Sequence, residues 1–304
     1  MNDKHQRITM HISHAIFEIG PLKTIQMKKT LLTITLGLLC CLVFGQNIPY
    51  GNNAVTGKYL NVGDAKLYYE VYGTGSPLLL LHGDTFGYID EFTEYIPLLA
   101  KHFKVIAIGM RGHGKSEIGT KTYSYKLFAE DAVSILKNET KDSVTVVGFS
   151  AGAITAYYLT AYYPEKVKKT VVLGGLLDSS GYRLTALEEL KHLTGDDCEK
   201  MLPDLVKSRK ALMPEPNRYN DLIDKLRESW LQPVYVDKEK AAAIKSPVLI
   251  IGGDRDDYIK TEEFVRIYKI IPKSQLSIIP NCGHVELIMN PTIFANIVMP
   301  FLIN

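Results

Sequence analysis

Residues 144–152 place the strongest constraint on the fold of this chain. They read VTVVGFSAG, an apolar and largely β-branched run that ends in the pattern Gly-x-Ser-x-Gly. Such a run predicts a buried strand, and the small residues behind it predict a helix over 151–163. A direct strand-to-helix turn leaves no space for side chains at its flanks, so glycine is required at positions 148 and 152. The turn therefore lifts Ser150 above the sheet, at a helix N-terminus whose N–H groups favour negative charge.

Strand and helix patterns alternate on both sides of this turn. Short apolar runs predict further strands at 66–71, 77–81, 103–108, 167–173, 247–251 and 275–279. Helical spacing predicts helices at 90–100, 123–136, 261–270 and 286–301. Repeated strand–helix units predict an α/β fold with a mostly parallel central sheet and helices on both faces.

The pattern changes between residues 178 and 245. Strand-like runs give way to charged, helix-favouring segments at 184–193, 199–212 and 219–230. We interpret this stretch as a helical cap inserted into an α/β core formed by residues 46–177 and 246–304.

The N-terminus has the pattern of a secretory signal peptide. A basic start at residues 27–29 precedes the apolar segment 30–44, and Gly45 is a small residue suited to cleavage. The signal would span 27–45, with 1–26 an over-extended N-terminus. This predicts an exported, periplasmic or secreted protein with no stable membrane span after signal cleavage, since the apolar segment is shorter than a spanning helix. Cys198 and Cys282 would then be the mature cysteines, either bridged or free.

Charge and composition exclude several kinds of partner. The formal net charge is +2 over 304 residues, and no Lys/Arg run is interleaved with aromatic residues. We therefore expect no nucleic-acid binding. The His and Cys residues show no metal-ligand spacing, so no metal or organic cofactor is predicted. No pattern indicates an oligomeric state.

The Ser150 hydroxyl is a poor nucleophile unless a base takes its proton and a third group orients that base. The candidate base is His284, directly after the predicted strand 275–279. The candidate acid is Asp254, Asp256 or Asp257, directly after the strand 247–251. Loops at the carboxyl ends of parallel strands share one edge of the sheet. The chain order Ser, Asp, His is also the one expected with a nucleophile elbow, the turn described above.

With these motifs the chain resembles the α/β-hydrolases, and among them the capped lipase- and esterase-like members. The resemblance runs from about residue 58 to the C-terminus. It rests on YEVYG at 69–73, LHG at 81–83, RGHGKS at 111–116, the elbow, the aspartate cluster and CGH at 282–284.

By position, this resemblance implies that Ser150 is the nucleophile, His284 the general base and Asp256 the acid, with Asp254 and Asp257 as alternatives. It further implies an oxyanion hole formed by the backbone N–H groups of Asp84 and Ala151. Asp84 departs from the family, which more often has an apolar or small residue there. Its carboxylate either turns away from the oxyanion or binds a polar or cationic group of the substrate.

Several neighbouring residues have a structural interpretation. We expect four of them to tie loops together, namely His82, Arg111, His113 and Ser116. We expect Cys282 to be a packed thiol. Trp230 and Tyr235 are expected either to line an acyl pocket or to pack against the core.

The expected function is hydrolysis of a carboxylic ester, or a related acyl bond, of a small substrate through an acyl-enzyme. A lactonase or an aminopeptidase is an alternative on the same residues. An aminopeptidase would need cap carboxylates such as Glu188, Glu189 or Glu228 to hold the substrate's ammonium group. A hypothesis of another class is a non-catalytic ligand-binding protein with the same fold.

Overall fold

The computed structural model describes residues 48–304. The predictions for the over-extended N-terminus and the signal peptide concern residues 1–45, which lie outside the described residues.

An eight-stranded sheet forms the centre of the fold. Its strands are β1 (Gly57–Asn61), β2 (Lys66–Tyr72), β3 (Ser76–Leu81), β4 (Phe103–Ile108), β5 (Val144–Phe149), β6 (Val167–Leu173), β7 (Val248–Gly253) and β8 (Ser274–Ile279). The spatial order is β1-β2-β4-β3-β5-β6-β7-β8. Strands β3 to β8 pair in parallel. At one edge β2 pairs antiparallel with β4, and β1 pairs antiparallel with β2. The predicted mostly parallel sheet of the α/β-hydrolase fold is confirmed.

The central strands are buried on both faces, which explains their continuous apolar sequences. All six residues of β5 are buried. Neighbouring residues of one strand face opposite layers of core: Leu79 and Val146 lie in one apolar cluster, and Leu80 and Val147 in the other. Helices on both faces therefore have an apolar surface to cover.

The helices are α1 (Ile96–Leu99), α2 (Tyr125–Glu139), α3 (Ala151–Tyr162), α4 (Leu184–His192), α5 (Gly195–Met201), α6 (Pro203–Leu212), α7 (Tyr219–Trp230), α8 (Lys238–Ala242), α9 (Thr261–Ile270), α10 (Glu286–Met289), α11 (Pro291–Ile293) and α12 (Met299–Ile303). Short 3₁₀ turns lie at Ile89–Phe92, Pro164–Lys166, Ser179–Gly181 and Pro216–Arg218, and a π turn lies at Phe294–Val298.

Three helices predicted as continuous are interrupted, and the prediction was wrong there. The segment 90–100 is a 3₁₀ turn followed by α1, the segment 199–212 is the end of α5 followed by α6, and 286–301 is a chain of short helices. Each break has a proline in the first turn of the next helix. Proline lacks the N–H that a helix interior needs, so it begins a helix rather than continuing one.

Helices α4 to α8 lie between β6 and β7 in the chain and form the helical insertion. Cys198 and Cys282 are both free and buried, so of the two cysteine states considered the thiols are present. Within residues 48–304 no helix is long and apolar enough to cross a membrane.

Candidate active site

Ser150 lies in the turn between β5 and α3 with a left-handed backbone. Its φ is +53°, a conformation that residues other than glycine rarely adopt. The turn is held because the Ser150 N–H donates to the Leu173 carbonyl at 2.9 Å, while its own carbonyl accepts from Ala153 and Ile154. A strained residue kept in place by its surroundings is typical of a functional site.

The two flanking glycines are required by close backbone contacts. A Cβ atom at Gly148 would lie 2.2 Å from the Gly152 carbonyl oxygen, and one at Gly152 would lie 2.1 Å from the Leu81 carbonyl oxygen. These distances are too short for any side chain. The glycines therefore allow α3 to begin directly against the end of β3.

His284 connects the serine to an aspartate. It follows β8, and its Nε2 lies 2.9 Å from the Ser150 Oγ. Its Nδ1 lies 2.8 Å from an oxygen of the Asp256 carboxylate. A carboxylate can only accept, so Nδ1 carries the proton and Nε2 is free to accept the serine proton. The imidazole is buried and packs between the rings of Phe149 and Tyr258.

Of the three candidate acids, the structure brings Asp256 to the imidazole. Its Oδ1 accepts from the backbone N–H groups of Tyr258 and Ile259 at 2.9 and 2.8 Å, and its Oδ2 faces His284. Asp257 is exposed, and Asp254 accepts a long bond of 3.4 Å from the Cys282 N–H. Three donors on a fully buried carboxylate keep its charge satisfied without a cation.

The predicted oxyanion loop runs beside the serine. A Cβ atom at Gly83 would lie 3.4 Å from the Ser150 Cβ, so this loop passes Ser150 at van der Waals distance. Asp84 follows in the loop and Ala151 begins α3. In the described part of the chain, neither N–H donates to a backbone carbonyl at this turn. Both groups are available to an oxygen atom of a bound substrate.

The Asp84 side chain turns toward the insertion and the β4 loop. Its Oδ2 accepts from the Trp230 indole N–H at 2.7 Å, and its Oδ1 lies 4.0 Å from His113 Nε2. Both Oδ1 and that Nε2 are buried without a hydrogen-bond partner among the described residues. The Asp84 carboxylate is therefore directed toward Trp230 and His113, and it also lines the cavity described below.

Burial shifts both of these groups toward their neutral forms. It raises the pKa of Asp84 to about 7, against which the Trp230 hydrogen bond acts, and it lowers the pKa of His113 to about 4. His113 Nδ1 lies 2.9 Å from the Arg111 carbonyl, so Nδ1 carries the proton and Nε2 presents a lone pair to Asp84. An ionised Asp84 would find no hydrogen-bond donor at His113 Nε2. A protonated Asp84 would instead face an acceptor, the lone pair of that nitrogen.

A buried acid that the sequence did not reveal supports the same loop. Glu91 accepts from the Gly83 N–H at 2.8 Å, and burial raises the pKa of Glu91 to about 7. Its position in a 3₁₀ turn, beside the more exposed Asp90, gave no periodic signal. Glu91 fixes the direction of the backbone that precedes Asp84.

The histidines and the arginine near this loop have structural roles, as the sequence suggested. His82 accepts from the Met110 N–H at 2.9 Å and lies 2.6 Å from the Gly83 carbonyl, which joins the loops after β3 and β4. Burial lowers the pKa of His82 well below its usual value. Arg111 is fully buried and pairs with Asp131 and Asp64.

A cavity of about 870 Å³ opens above Ser150 and His284. Its walls come from the insertion, through α4 to α7, and from the α10 segment. The apolar side chains that line it include Phe86, Leu190, Leu193, Leu205, Trp230 and Ile288. Trp230 therefore lines the cavity, whereas Tyr235 is buried against Tyr125, with ring centroids 4.8 Å apart. Residues 48–304 contain no group of three or more His, Cys, Asp or Glu side chains placed to hold a metal ion.

Comparison with known proteins agrees with this architecture. A sequence model of the alpha/beta hydrolase fold matches residues 76–191. The chain is 26% identical to 2-hydroxy-6-oxo-6-(2'-aminophenyl)hexa-2,4-dienoic acid hydrolase of Metapseudomonas resinovorans, over 82% of this chain and 92% of that protein. It is also 26% identical to the human (Homo sapiens) serine hydrolase BPHL, over 81% of this chain and 88% of that protein.

The structure is similar to that of a serine hydrolase involved in carbazole degradation, the CarC enzyme. The TM-score is 0.66 at 25% identity, and the match covers 81% of this chain and 98% of the other. The chain is an enzyme of hydrolase type with the α/β-hydrolase fold. At the carboxyl edge of its sheet the chain carries Ser150, His284 and Asp256 in one hydrogen-bonded line.

Proposed function

We propose that the protein is a serine hydrolase that cleaves a carboxylic ester of a small molecule through an acyl-enzyme. The observation that carries this proposal is the line of contacts from Ser150 Oγ to His284 Nε2 and from His284 Nδ1 to Asp256, at 2.9 and 2.8 Å. A buried imidazole whose Nδ1 faces a carboxylate and whose Nε2 faces the serine hydroxyl is arranged to take the serine proton.

The reaction would proceed in two steps. The Ser150 Oγ attacks the ester carbonyl while its proton passes to His284 Nε2, and the oxyanion accepts from the N–H groups of Asp84 and Ala151. The bond to the alcohol then breaks, and His284 returns the proton to the leaving oxygen. Water attacks the acyl-enzyme with its proton taken by His284, which releases the acid and restores the serine.

The charges around the cavity favour a substrate without a carboxylate near the reacting carbonyl. Among the described residues that line the cavity, the arginine is Arg209, and no lysine lines it. The guanidinium of Arg209 is already bonded to Asp90 at 2.7 Å and to the Phe86 carbonyl at 2.8 Å. The buried acids Asp84 and Glu91 line the same cavity. A substrate anion would therefore find little compensation there.

The aminopeptidase alternative gains no support from the cap carboxylates. Of Glu188, Glu189 and Glu228, only Glu189 is among the described residues that line the cavity. Glu188 instead bonds to Lys191 and His192 on the surface of α4. The three carboxylates do not converge on a position where a substrate ammonium would lie.

We further propose that the enzyme acts outside the cytoplasm. The proposal is supported by the basic start, apolar segment and small residue at 27–45. Fractionation of the native host, with mass spectrometry of the N-terminus, tests it. A new N-terminus near residue 46 in the exported fraction is expected, and intact chain confined to the cytoplasm would contradict it.

Hydrolysis of p-nitrophenyl butyrate tests the proposed activity. Ser150→Ala should reduce kcat by at least about 10³-fold, because an acyl-enzyme cannot form without the hydroxyl. Ser208→Ala, on the exposed surface of α6, serves as the matched control and should leave the rate unchanged. Equal rates in wild type and Ser150→Ala would exclude the proposed mechanism.

A further inference from the structure

The mouth of the cavity is formed by large apolar side chains that are exposed to solvent. Met201 and Leu202, at the junction of α5 and α6, are 54% and 43% exposed. Val285 and Met289, at α10, are 49% and 73% exposed. All four line the cavity that contains Ser150 and His284. We refer to these four residues as the apolar rim.

Exposed apolar side chains are unremarkable when they are scattered singly, but the apolar rim is contiguous with a catalytic cavity. Its two halves come from separate parts of the chain, the insertion and the segment after β8. Val285 is also the residue that directly follows His284. The apolar surface is therefore continuous from the reacting atoms to solvent.

The interior of the cavity has the matching chemistry. Besides the apolar rim, the apolar lining of the cavity includes Leu193, Leu205, Ile288, Trp230 and Phe86. The single arginine in this lining, Arg209, is held by Asp90. A volume of about 870 Å³ exceeds what an acetyl or propionyl group would fill.

We propose that the apolar rim is the outer part of an acyl-chain subsite, and that the preferred substrate is a neutral ester with a medium or long aliphatic acyl chain. The chain runs from the Ser150 carbonyl along the insertion wall and leaves the cavity between Met201 and Met289. This inference rests on the proposed serine-hydrolase function. Burial of methylene groups against the rim stabilises the bound substrate, because apolar surface is removed from water on both sides.

A series of monomeric p-nitrophenyl esters of two, four, eight and twelve carbons tests the proposal. The wild-type kcat/KM should rise from the two-carbon to the eight-carbon ester. The double variant Met201→Ser/Met289→Ser should lower the ratio of the twelve- to the four-carbon kcat/KM about tenfold, because the longer acyl chain is the one that reaches the rim. The matched control is Leu184→Ser/Val234→Ser, which changes two exposed apolar residues outside the cavity lining.

Two outcomes would overturn the subsite. One is a wild-type preference for the two-carbon ester. The other is a ratio of twelve- to four-carbon kcat/KM that is the same in the rim variant and in wild type. If that variant also bound phospholipid vesicles less well than wild type, the apolar rim would be a lipid-contacting surface and not an acyl-chain subsite. Failure of the proposed function itself looks different: no ester of any length would be hydrolysed faster than by Ser150→Ala.

Discussion

Two buried aspartates stand in two loops at the same edge of the sheet, and their surroundings differ in the number of hydrogen-bond donors. Asp256, after β7, accepts from Tyr258, Ile259 and His284. The Asp84 carboxylate, after β3, accepts from Trp230 alone among the described residues, and its second oxygen faces a lone pair of His113. Burial is nearly complete in both cases, so the difference lies in the partners.

The comparison shows that donors, rather than burial, decide what a buried acid can do. The Asp256 carboxylate has hydrogen-bond donors on both oxygens, which suits the proposed role of holding His284 through its Nδ1. The Asp84 carboxyl has one donor and faces one acceptor, an arrangement that suits its neutral form, and burial raises its pKa to about 7. Below about pH 7, where Asp84 is mostly protonated, its side chain carries no charge that would oppose negative charge at the predicted oxyanion hole. A carboxylic acid beside the predicted oxyanion hole is thereby compatible with ester hydrolysis.

The sharpest test of the comparison is Asp256→Asn. The carboxamide can keep the bonds from Tyr258 and Ile259 through its oxygen, but it then presents an NH₂ group to His284 and favours the wrong tautomer. We expect kcat to fall by about 10³- to 10⁴-fold with little change in KM. Steady-state kinetics with p-nitrophenyl butyrate measures the effect.

Asp257→Asn is the matched control for that variant. Asp257 is the exposed neighbour in the same loop and should stay within about twofold of wild type, as surface substitutions away from the site usually do. If Asp257→Asn lost as much activity as Asp256→Asn, the assignment of the acid would be wrong.

In contrast to Asp256→Asn, the variant Asp84→Asn should stabilise the protein and largely keep its activity. The Asp84 pKa is raised from 3.8 to about 7 in the folded protein, so the folded state binds this proton more tightly than the unfolded chain. Stability is therefore lost as pH rises from about 4 to about 7. The asparagine removes a penalty of at most about 4 kcal/mol at pH 8 and can donate to His113 Nε2.

Urea unfolding of wild type and Asp84→Asn at pH 4.5 and pH 8 measures this difference. The free energy of unfolding should rise clearly at pH 8 and change little at pH 4.5. Equal destabilisation at both pH values would show that Asp84 is a needed carboxylate in the folded state, and the contrast with Asp256 would disappear.

The smallest expected effect is that of Trp230→Phe, which removes the one donor to Asp84 and keeps an aromatic ring. We expect a loss of about 1–3 kcal/mol in the free energy of unfolding at pH 8, where Asp84 is mostly ionised, and less at pH 5. Combining it with Asp84→Asn in a double-mutant cycle isolates the coupling between the two side chains. A loss independent of pH and of Asp84 would assign Trp230 a packing role alone.

Much of the fold could be predicted from the sequence because its signals are local. The predicted strand 103–108 and helix 261–270 match β4 and α9, since buried runs and amphipathic spacing are read within one segment. The edge strand β1 was missed because none of its five residues is buried, so its sequence contains no apolar run. The interrupted helices were missed where tertiary packing continued an apolar pattern across a proline.

Part of the candidate site could likewise be predicted from local sequence signals, and part could not. Ser150 and His284 follow from glycine-flanked motifs at strand ends, and the structure brings both together with Asp256. The direction of the Asp84 side chain could not be predicted. It depends on Trp230, 146 residues away, and on the lone pair of His113. Contacts of that separation leave no periodic trace in a single sequence.

Labelling with a fluorophosphonate probe tests the central claim most directly, because the probe forms a covalent bond only with an activated serine. The purified protein is treated with the probe and the modified residue is located by mass spectrometry. We expect a label on Ser150 that is lost in His284→Ala and kept in Asp84→Asn. A well-folded protein that takes no label, or takes it at another residue, would contradict it.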